Sequence, residues 1–438
     1  MNQLNAGQQA AVDTIVSGVL EKNAEGYTVV GEGGTGKTFC IMYAAQKLQE
    51  AGLKILFAAP TNKAVKQLER AAREYGLSLD DVAFQTWHSA LGLAMLPDEE
   101  NKFVAQLGEG VLELFDVVVG DEASMLSKLV LTGHILPRAK AAKIMLIMMG
   151  DDMQLPPVRE AKSLAFDLFP ILRLTKVERQ AEGSEILTVT GLLRTAIDND
   201  SMFKAPEVSG SDVEVVQAAG FLSAVLDAFD KDTDLDKQRV VAWRNRRVDE
   251  VNDAIRKKIY GKGAERFEEG ERVVTGAPVK DPEGNVLLST DEECIVEYCR
   301  VADLFDEISG LEFKTYLVAL RPIHADNKAQ VLVHVLHEDA EEAYWDRLNT
   351  LAKRAKSDPS TARKHWALYH KFKELFANLK YCYCITVHRS QGSTYDTVFA
   401  DVKDILANRL QNERQRLLYV AFSRPRSRLV VNKKAYVA

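Results

Sequence analysis

The sequence contains no apolar run close to the ~20 residues that a membrane-spanning helix needs. Its opening residues Met1-Asn-Gln-Leu-Asn have neither the basic flank nor the apolar core of a signal peptide, so we expect none. The usual marks of membrane insertion and of secretion are therefore missing. We expect a cytoplasmic protein that has no membrane partner.

Cysteine is scarce, with five residues in the whole chain. Their number is odd, and the Cys-x-Cys pair near residue 382 alternates within a strand-like run and lacks metal-ligand spacing. We therefore expect reduced, buried thiols in place of disulfides or a metal site. The five positions are Cys40, Cys294, Cys299, Cys382 and Cys384.

The chain lacks the net positive charge of a protein that coats nucleic acid, since its net charge is −7. Net charge does not exclude binding in a groove, because local patches decide there. Residues 409 to 434 hold eight Lys or Arg against a single acid, Glu413. A solvated basic surface accounts for several of these residues, and a nucleic-acid groove is the alternative.

The length of 438 residues exceeds what one hydrophobic core usually serves, so we expect two or more domains. A hydrophobic content of 46% and a charged content of 27% are those of an ordinary soluble protein. The sequence shows no solenoid repeat and no low-complexity tract.

Short β-rich runs alternate with helical stretches between residues 27 and 174. This alternation predicts a parallel sheet with helices on both faces. A break near residues 91 to 112 predicts a hairpin-like excursion from that sheet. The predicted strands are 27–30, 54–59, 115–119 and 144–149.

A second alternating block starts at residue 239, continues into a helix from 247 and resumes at 381. Between its two parts, residues 270 to 337 are rich in short β-like runs with Gly and Pro between them, which is typical of a small barrel. Residues 338 to 379 lack Gly and predict paired helices.

A glycine-rich loop directly follows the first predicted strand and directly precedes a predicted helix. This setting indicates a phosphate-binding P-loop, in which backbone N–H groups surround a polyphosphate. Lys37 would meet the outer phosphates and the Thr38 hydroxyl would bind Mg²⁺. A glycine-rich turn without catalytic meaning is the alternative, but both ends of the loop match. The loop residues are Gly31, Glu32, Gly33, Gly34, Thr35, Gly36, Lys37 and Thr38.

Two further strand ends carry polar residues suited to nucleotide hydrolysis. Asp121 and Glu122 follow an apolar strand, where Asp121 would hold Mg²⁺ and Glu122 would orient and deprotonate the attacking water. Gln154 follows the next strand and is placed to sense a γ-phosphate. Three strand ends that meet at one phosphate site are hard to obtain by chance.

The order of these motifs resembles superfamily 1 helicases, most closely the branch 1B of the phage Dda and bacterial RecD type. The resemblance runs over nearly the whole chain. It implies that Gln8 reads the adenine of ATP, that Arg179 and Arg424 are arginine fingers, and that Gly392 belongs to the nucleotide site. It also implies contacts to single-stranded DNA from Pro60, Thr61, Asn62, His88, Trp243, Asn245, Thr386 and His388.

One aromatic residue is singled out by the same resemblance. Dda-like helicases carry an aromatic pin on a hairpin of the first lobe, and Phe103 is the only aromatic residue between His88 and Phe115. A phenylalanine that merely attaches the hairpin to the lobe is the alternative. For Trp243, a core aromatic at a strand end is equally compatible with the sequence.

The resemblance implies an α/β fold with two RecA-like parallel-sheet motor lobes. We expect lobe 1A at residues 1–185 with a small 1B hairpin insertion at 90–114, and lobe 2A at 186–269 and 376–438. We expect the 2B insertion, an SH3-like barrel with a helical tower, at 270–375.

The implied function is ATP-dependent and Mg²⁺-dependent DNA unwinding with 5′-to-3′ travel on single strands. Single-stranded and fork DNA are the expected partners, with a single-strand-binding or replisome protein as a further one. A monomer is expected, in the host cytoplasm if a phage encodes it. The alternatives are a translocase that displaces proteins from DNA, a nucleotide-switched DNA clamp and a small-molecule kinase.

Overall fold

The computed structural model describes residues 3–95, 103–106, 108, 110–178, 183–307, 309–323 and 329–432, with the backbone alone at 94, 95 and 103–106. Helices and strands alternate over most of the first 178 residues, with the strand pair Leu93–Met95 and Phe103–Gln106 as an interruption. They are α1 (Ala6–Leu20), β1 (Gly26–Gly31), α2 (Lys37–Glu50), β2 (Ile55–Ala59), α3 (Asn62–Glu74), β3 (Val82–Thr86), α4 (Trp87–Ala90), β4 (Leu93–Met95), β5 (Phe103–Gln106), β6 (Val117–Gly120), α5 (Lys128–Val130), α6 (Leu136–Ala142), β7 (Met145–Gly150) and β8 (Ile171–Leu174).

The rest of the chain contains a second set of alternating elements on either side of a strand-rich stretch. They are α7 (Glu185–Asp198), β9 (Val213–Val216), α8 (Phe221–Ala228), β10 (Gln238–Ala242), α9 (Asn245–Tyr260), β11 (Arg272–Thr275), β12 (Val279–Lys280), β13 (Val286–Leu288), β14 (Glu293–Asp306), β15 (Leu311–Pro322), β16 (Val331–Leu336), α10 (Glu341–Ser357), α11 (Ala362–Lys373), β17 (Leu379–Tyr381), β18 (Cys384–Thr386), α12 (Val387–Ser390), β19 (Tyr395–Ala400), α13 (Val402–Ile405), α14 (Gln411–Phe422) and β20 (Pro425–Asn432).

The described residues fall into two compact units. The first unit contains the residues up to 92, from 109 to 259 and from 383 onward. The second unit contains those from 93 to 108 and from 260 to 382.

The first unit holds two parallel sheets. One has six strands in the order β3-β2-β6-β7-β1-β8, and every neighbouring pair is parallel. Strands β1, β2, β6 and β7 are buried along their whole length, as strands are when both faces of a sheet are covered. The predicted α/β fold with a parallel sheet is therefore confirmed. All strand carboxyl ends share one edge, where the loop motifs begin.

The second parallel sheet has five strands in the order β18-β10-β19-β20-β9. The single strand expected from residue 381 is wrong, because the chain passes there from one sheet to another. Strand β17 ends at Tyr381 in the second unit, and β18 begins at Cys384 in the first.

The second unit contains a five-stranded antiparallel sheet in the order β16-β15-β14-β11-β17. The sequence suggested only short strands here, yet β14 has 14 residues and β15 has 12. These two strands form one long antiparallel pair with a register shift between Val296 and Tyr298. Helices α10 and α11 pack together, as the paired-helix prediction stated. Strands β4 and β5 form a separate antiparallel hairpin.

All five cysteines are free thiols, as expected. Four are buried and Cys299 is half-buried, so the prediction of burial is wrong only there. No helix in the described part of the chain is long and apolar enough to cross a bilayer.

Candidate nucleotide site and nucleic-acid interface

The P-loop connects β1 to α2 at the carboxyl edge of the six-stranded sheet. Gly34 and Gly36 have φ values of 91° and 76°, which glycine adopts without steric cost. A Cβ atom at Gly36 would lie 2.4 Å from the side-chain Nε2 of Gln8. The backbone conformation therefore favours glycine at this position, and a larger residue would also displace the Gln8 amide.

The side chain of Lys37 is held against the P-loop by backbone carbonyls of the loop itself. Its ammonium group donates hydrogen bonds to the carbonyls of Gly31 at 2.7 Å and Glu32 at 3.0 Å. The Thr35 hydroxyl donates to the same Glu32 carbonyl at 2.9 Å. Lys37 and Thr35 therefore stabilise the curled loop, and the Lys37 ammonium group lies against two of its carbonyls.

Gln8, the predicted adenine contact, is buried and lies against the P-loop. Its Oε1 accepts from the backbone N–H of Asn5 at 3.0 Å, and its Nε2 donates to the Thr35 carbonyl at 3.1 Å. The first bond belongs to a capping box at the start of α1. Gln8 therefore connects the N-terminus of α1 to the P-loop, and its contact with adenine stays a prediction.

Asp121 and Glu122 follow β6 at the same sheet edge. Glu122 has a φ of 49°, an unusual left-handed conformation for a residue with a side chain. Its backbone N–H donates to the Asp121 carboxylate at 2.7 Å. Strained backbone of this kind costs about 1–3 kcal/mol and often occurs at functional sites.

Four of the predicted site residues interact electrostatically with one another, namely Lys37, Asp121, Glu122 and Arg424. Burial, and then the charge of Glu122, raises the pKa of the Asp121 carboxyl. Burial also raises the pKa of Glu122, while the positive charges of Arg424 and Lys37 oppose that rise. Arg424 belongs to the part of the chain that forms the second sheet, so the site combines residues from both sheets.

Arg424 is buried and donates hydrogen bonds to three residues. Two of them are close to it in sequence, and the third, Ser393, follows Gly392. The Arg424 guanidinium donates to the carbonyls of Val420 at 2.9 Å and Ser393 at 3.1 Å, and to the Ser423 hydroxyl at 2.8 Å. A fixed cation near Glu122 is the placement that an arginine finger needs.

Gly392 lies next to the catalytic carboxylate candidate. Its φ is 71°, and a Cβ atom built on it would lie 3.0 Å from Oε1 of Glu122 and 3.5 Å from Oε1 of Gln67. The following residue, Ser393, accepts a 2.6 Å hydrogen bond from Lys63 on α3. This turn of the second sheet therefore meets α3 and Glu122 of the first.

Gln154 is buried in the turn after β7. Its side-chain oxygen lies 3.5 Å from the amide nitrogen of Gln391, at the limit of a hydrogen bond. Its backbone carbonyl accepts a 2.9 Å bond from Arg416 on α14. Groups from the second sheet therefore hold the predicted γ-phosphate sensor at both ends.

The basic run at residues 409 to 434 is not a uniform surface. Arg416 and Arg424 are buried in it, and Arg428 pairs with Glu214. Arg409, Arg426 and Arg428 are exposed, as a solvated basic surface requires, whereas the two buried arginines bind backbone carbonyls.

Two of the expected DNA contacts, His88 and His388, each lie in a Thr-x-His motif, Thr86-Trp-His88 and Thr386-Val-His388, and the two motifs occupy matching places in the two sheets. Thr86 ends β3 and Thr386 ends β18, and each of these strands lies at one edge of its sheet. Each threonine hydroxyl accepts the N–H three residues later, at 3.2 Å and 3.3 Å respectively. His88 and His388 therefore follow the same kind of turn at equivalent sheet edges.

Both histidines favour the neutral form. Burial lowers the pKa of His88, and the nearby His134 lowers it further. Burial of part of the ring also lowers the pKa of His388, against the opposing effect of Glu413. At neutral pH these rings are hydrogen-bonding groups more than cations.

The other nucleic-acid candidates differ in exposure. Thr61 caps α3 by accepting the Ala64 N–H at 3.2 Å, and Asn62 beside it is exposed. Trp243 is half-buried, which fits either a stacking face or a core aromatic. Pro60 is half-buried, and Asn245, the first residue of α9, is exposed.

Two family models match the chain. The model described as "AAA domain" matches residues 3–205, and the "UvrD-like helicase C-terminal domain" matches residues 381–431. The ATP-dependent DNA helicase dda of Enterobacteria phage T4 is 25% identical over 97% of this chain and 98% of its own length. The chain is related to the Dda-like helicases of superfamily 1B.

An uncharacterized protein of Acanthamoeba polyphaga mimivirus is 26% identical, over 97% of this chain and 99% of its own length. Among solved structures, the Pif1 helicase from Candida albicans is similar with a TM-score of 0.45 and 17% identity, over 100% of this chain and 97% of that one.

Two expected sites of a Dda-like helicase stay predictions. Arg179 lies outside the described residues. For Phe103 only the backbone is described, and it pairs with Met95 in the β4-β5 hairpin. Nothing in the structure tests the pin role.

The Mg²⁺ site of a Dda-like helicase fits the residues present. Among the described residues, no group of three or more His, Cys, Asp or Glu could hold a metal by itself. Mg²⁺ prefers one or two protein oxygens, with water and substrate phosphates completing the shell. Thr38 at the start of α2 and the half-buried Asp121 match that sparse donor set.

One cluster beside the candidate nucleotide site did not follow from the sequence. Asp151, Arg194 and Tyr419 form a hydrogen-bonded group next to the Gln154 turn, in which Asp151 and Tyr419 are buried and Arg194 is half-buried. These residues are far apart in sequence, and no motif spacing connects them. The only available signal was the position of Asp151 directly after a strand.

Proposed function

We propose that this chain is an ATP-dependent DNA helicase that moves 5′ to 3′ on single-stranded DNA and separates the strands of a duplex. The single observation that carries the proposal is the composition of the nucleotide site. Glu122 follows a strand of the first parallel sheet, while Arg424 and Gly392 come from the second. The name of the T4 relative, an ATP-dependent DNA helicase, supports the same function.

The first-sheet residues bind the nucleotide. The P-loop amides and Lys37 hold the phosphates, and Thr38 and Asp121 would hold Mg²⁺, which would supply positive charge to the phosphates when bound. Glu122 orients the attacking water and accepts its proton. The raised pKa of Glu122 suits that role, because a more basic carboxylate is a stronger proton acceptor.

The second-sheet residues respond to the γ-phosphate. Arg424 stabilises negative charge that develops there, and Arg179 serves as the other finger. Attraction between these cations and the phosphate draws the two sheets together, and hydrolysis relaxes that attraction.

DNA lies along the sheet edges that carry the two Thr-x-His turns. One Thr-x-His turn belongs to each sheet. Relative movement of the two sheets therefore changes the distance between two contacts on the DNA strand. Thr61, Asn62 and Asn245 add polar contacts and Trp243 adds a stacking face. Repeated cycles of closure and opening then move the protein along DNA.

We assign the remaining parts to the roles that the family resemblance implies. Residues 1–185 and the 186–269 and 376–438 segments form the motor lobes, the 90–114 hairpin is the 1B insertion and residues 270–375 are the 2B insertion. The protein acts as a cytoplasmic monomer on fork DNA, together with a single-strand-binding or replisome protein.

The test is ATP turnover by the full chain with and without single-stranded DNA. We expect strong stimulation by DNA, since DNA contacts and nucleotide contacts share the same moving elements. Glu122→Gln is the matched control, because it keeps the size of the side chain and removes the base. Turnover that is indifferent to DNA would favour a nucleotide-switched clamp and contradict the motor.

A further inference from the structure

Asp151 is a buried carboxylate that the proposed chemistry does not use. Its side chain has no exposed surface. It accepts hydrogen bonds from the Arg194 guanidinium at 2.8 Å, from the Tyr419 hydroxyl at 2.5 Å and from the backbone N–H of Met153 at 3.1 Å. A carboxylate taken this far from water requires such partners.

The partners come from elements that pack together elsewhere. Tyr419 lies on α14, which packs against α12, α13 and β19 of the second-sheet half, and Arg194 lies on α7, which packs along α14. Arg194 also donates to the Tyr419 hydroxyl at 2.8 Å, so the three side chains form a closed triangle. Asp151 itself follows β7, a strand of the first sheet.

The main chain of the same turn after β7 is also bound by an arginine of α14. Arg416, also on α14, donates from one nitrogen to the carbonyls of Asp152 and Gln154, both at 2.9 Å. Helices that pack with the second sheet therefore hold the main chain and the side chains of residues 151 to 154.

The other end of this turn touches the catalytic region of the first sheet. A Cβ atom at Gly150 would lie 3.1 Å from the backbone nitrogen of Ala123, the residue after Glu122. Movement of the turn at residue 151 would therefore press directly on the segment that carries Glu122.

From this geometry we infer that Asp151, Arg194 and Tyr419 form a latch that couples movement of α14 to the position of Glu122. These are positioning residues, since none of them meets the nucleotide in the proposed function, on which the inference rests. The latch makes water activation depend on the placement of the second-sheet half, which DNA and the γ-phosphate control.

The Tyr419 hydroxyl is the part of the latch that can be removed with the least disturbance. Tyr419→Phe keeps the buried ring and deletes the hydroxyl that bonds to both Asp151 and Arg194, while the direct Arg194–Asp151 pair stays in place. Tyr395→Phe is the matched control, because Tyr395 is a buried tyrosine of the second sheet whose hydroxyl has no hydrogen bond to any residue that the structure describes. Its ring packs under the guanidinium of Arg239.

The experiment measures kcat and KM for ATP at saturating single-stranded DNA, together with base pairs unwound per ATP. For Tyr419→Phe we expect kcat to fall on the order of 10-fold, the loss of one hydrogen bond to a charged group. We expect KM to stay within about twofold because the P-loop is untouched, and unwinding per ATP to fall. Tyr395→Phe should match the wild type.

A second variant tests the route through Asp151. If the hydroxyl acts through that carboxylate, Asp151→Asn combined with Tyr419→Phe should lower kcat no further than Asp151→Asn alone. Additive losses would overturn the latch, and so would a Tyr419→Phe protein that loses melting temperature while kcat and unwinding per ATP stay unchanged. A wild type without DNA-stimulated turnover would instead refute the proposed function.

Discussion

Gly392→Ala tests whether the second sheet delivers a backbone turn directly against Glu122. The substitution has two separable effects. The first is strain, since an L side chain at a φ of 71° costs about 1–2 kcal/mol. The second is steric, because the new methyl group would lie 3.0 Å from the Glu122 carboxylate, which must move by a few tenths of an ångström.

The steric effect should appear as lost turnover. Displacement of a catalytic group by 1 Å can cost ~100-fold, so a smaller shift of Glu122 should lower kcat on the order of 10-fold. KM for ATP should change little, because Lys37 and the P-loop are not touched. The assay is DNA-stimulated ATP hydrolysis, with thermal melting followed by circular dichroism.

Gly52→Ala separates strain from contact. Gly52 has a φ of 82°, and no described atom lies within 4 Å of its Cβ position. Both variants should therefore lose similar stability, and only Gly392→Ala should lose kcat. Equal kcat values for the two variants would refute the placement of Gly392 against Glu122.

Three further substitutions probe separate parts of the account. Lys37→Ala should abolish hydrolysis but keep most single-strand affinity in a DNA-binding titration, and near-normal ATPase would remove the motor. Arg424→Ala should lower turnover ~1,000-fold or more at saturating DNA if the arginine stabilises transition-state charge. Recovery of turnover at high DNA concentration would make it a DNA-binding residue. Phe103→Ala should keep DNA-stimulated ATPase and lose strand separation if Phe103 is the pin, whereas a large fall in melting temperature would show that it is a core residue.

The sequence predicted the parallel core well because buried parallel strands are continuous apolar runs. The predicted strand 144–149 corresponds to Met145–Gly150, and 27–30 corresponds to Gly26–Gly31. Polar residues directly after such strands must lie at one sheet edge. For that reason the neighbourhood of Lys37, Asp121 and Glu122 followed from the sequence alone.

Contacts between distant segments did not follow from the sequence. Arg194 and Tyr419 are 225 positions apart, and Arg194 occupies a helix whose pattern gives no sign of a buried ion pair. The prediction of a single strand at residues 381 to 385 was wrong for a related reason. Alternating apolar residues predict a strand but do not show that the chain leaves one sheet and enters another within three residues.

Strand separation of tailed duplexes tests the central claim most directly. Wild-type protein, ATP and Mg²⁺ are mixed with a duplex that carries a single-stranded tail at either its 5′ or its 3′ end, and Glu122→Gln serves as the control. The account predicts that the wild type separates the 5′-tailed duplex, and that Glu122→Gln binds the duplex without separating it. ATP hydrolysis that DNA stimulates but that separates neither duplex would contradict the assignment as a helicase.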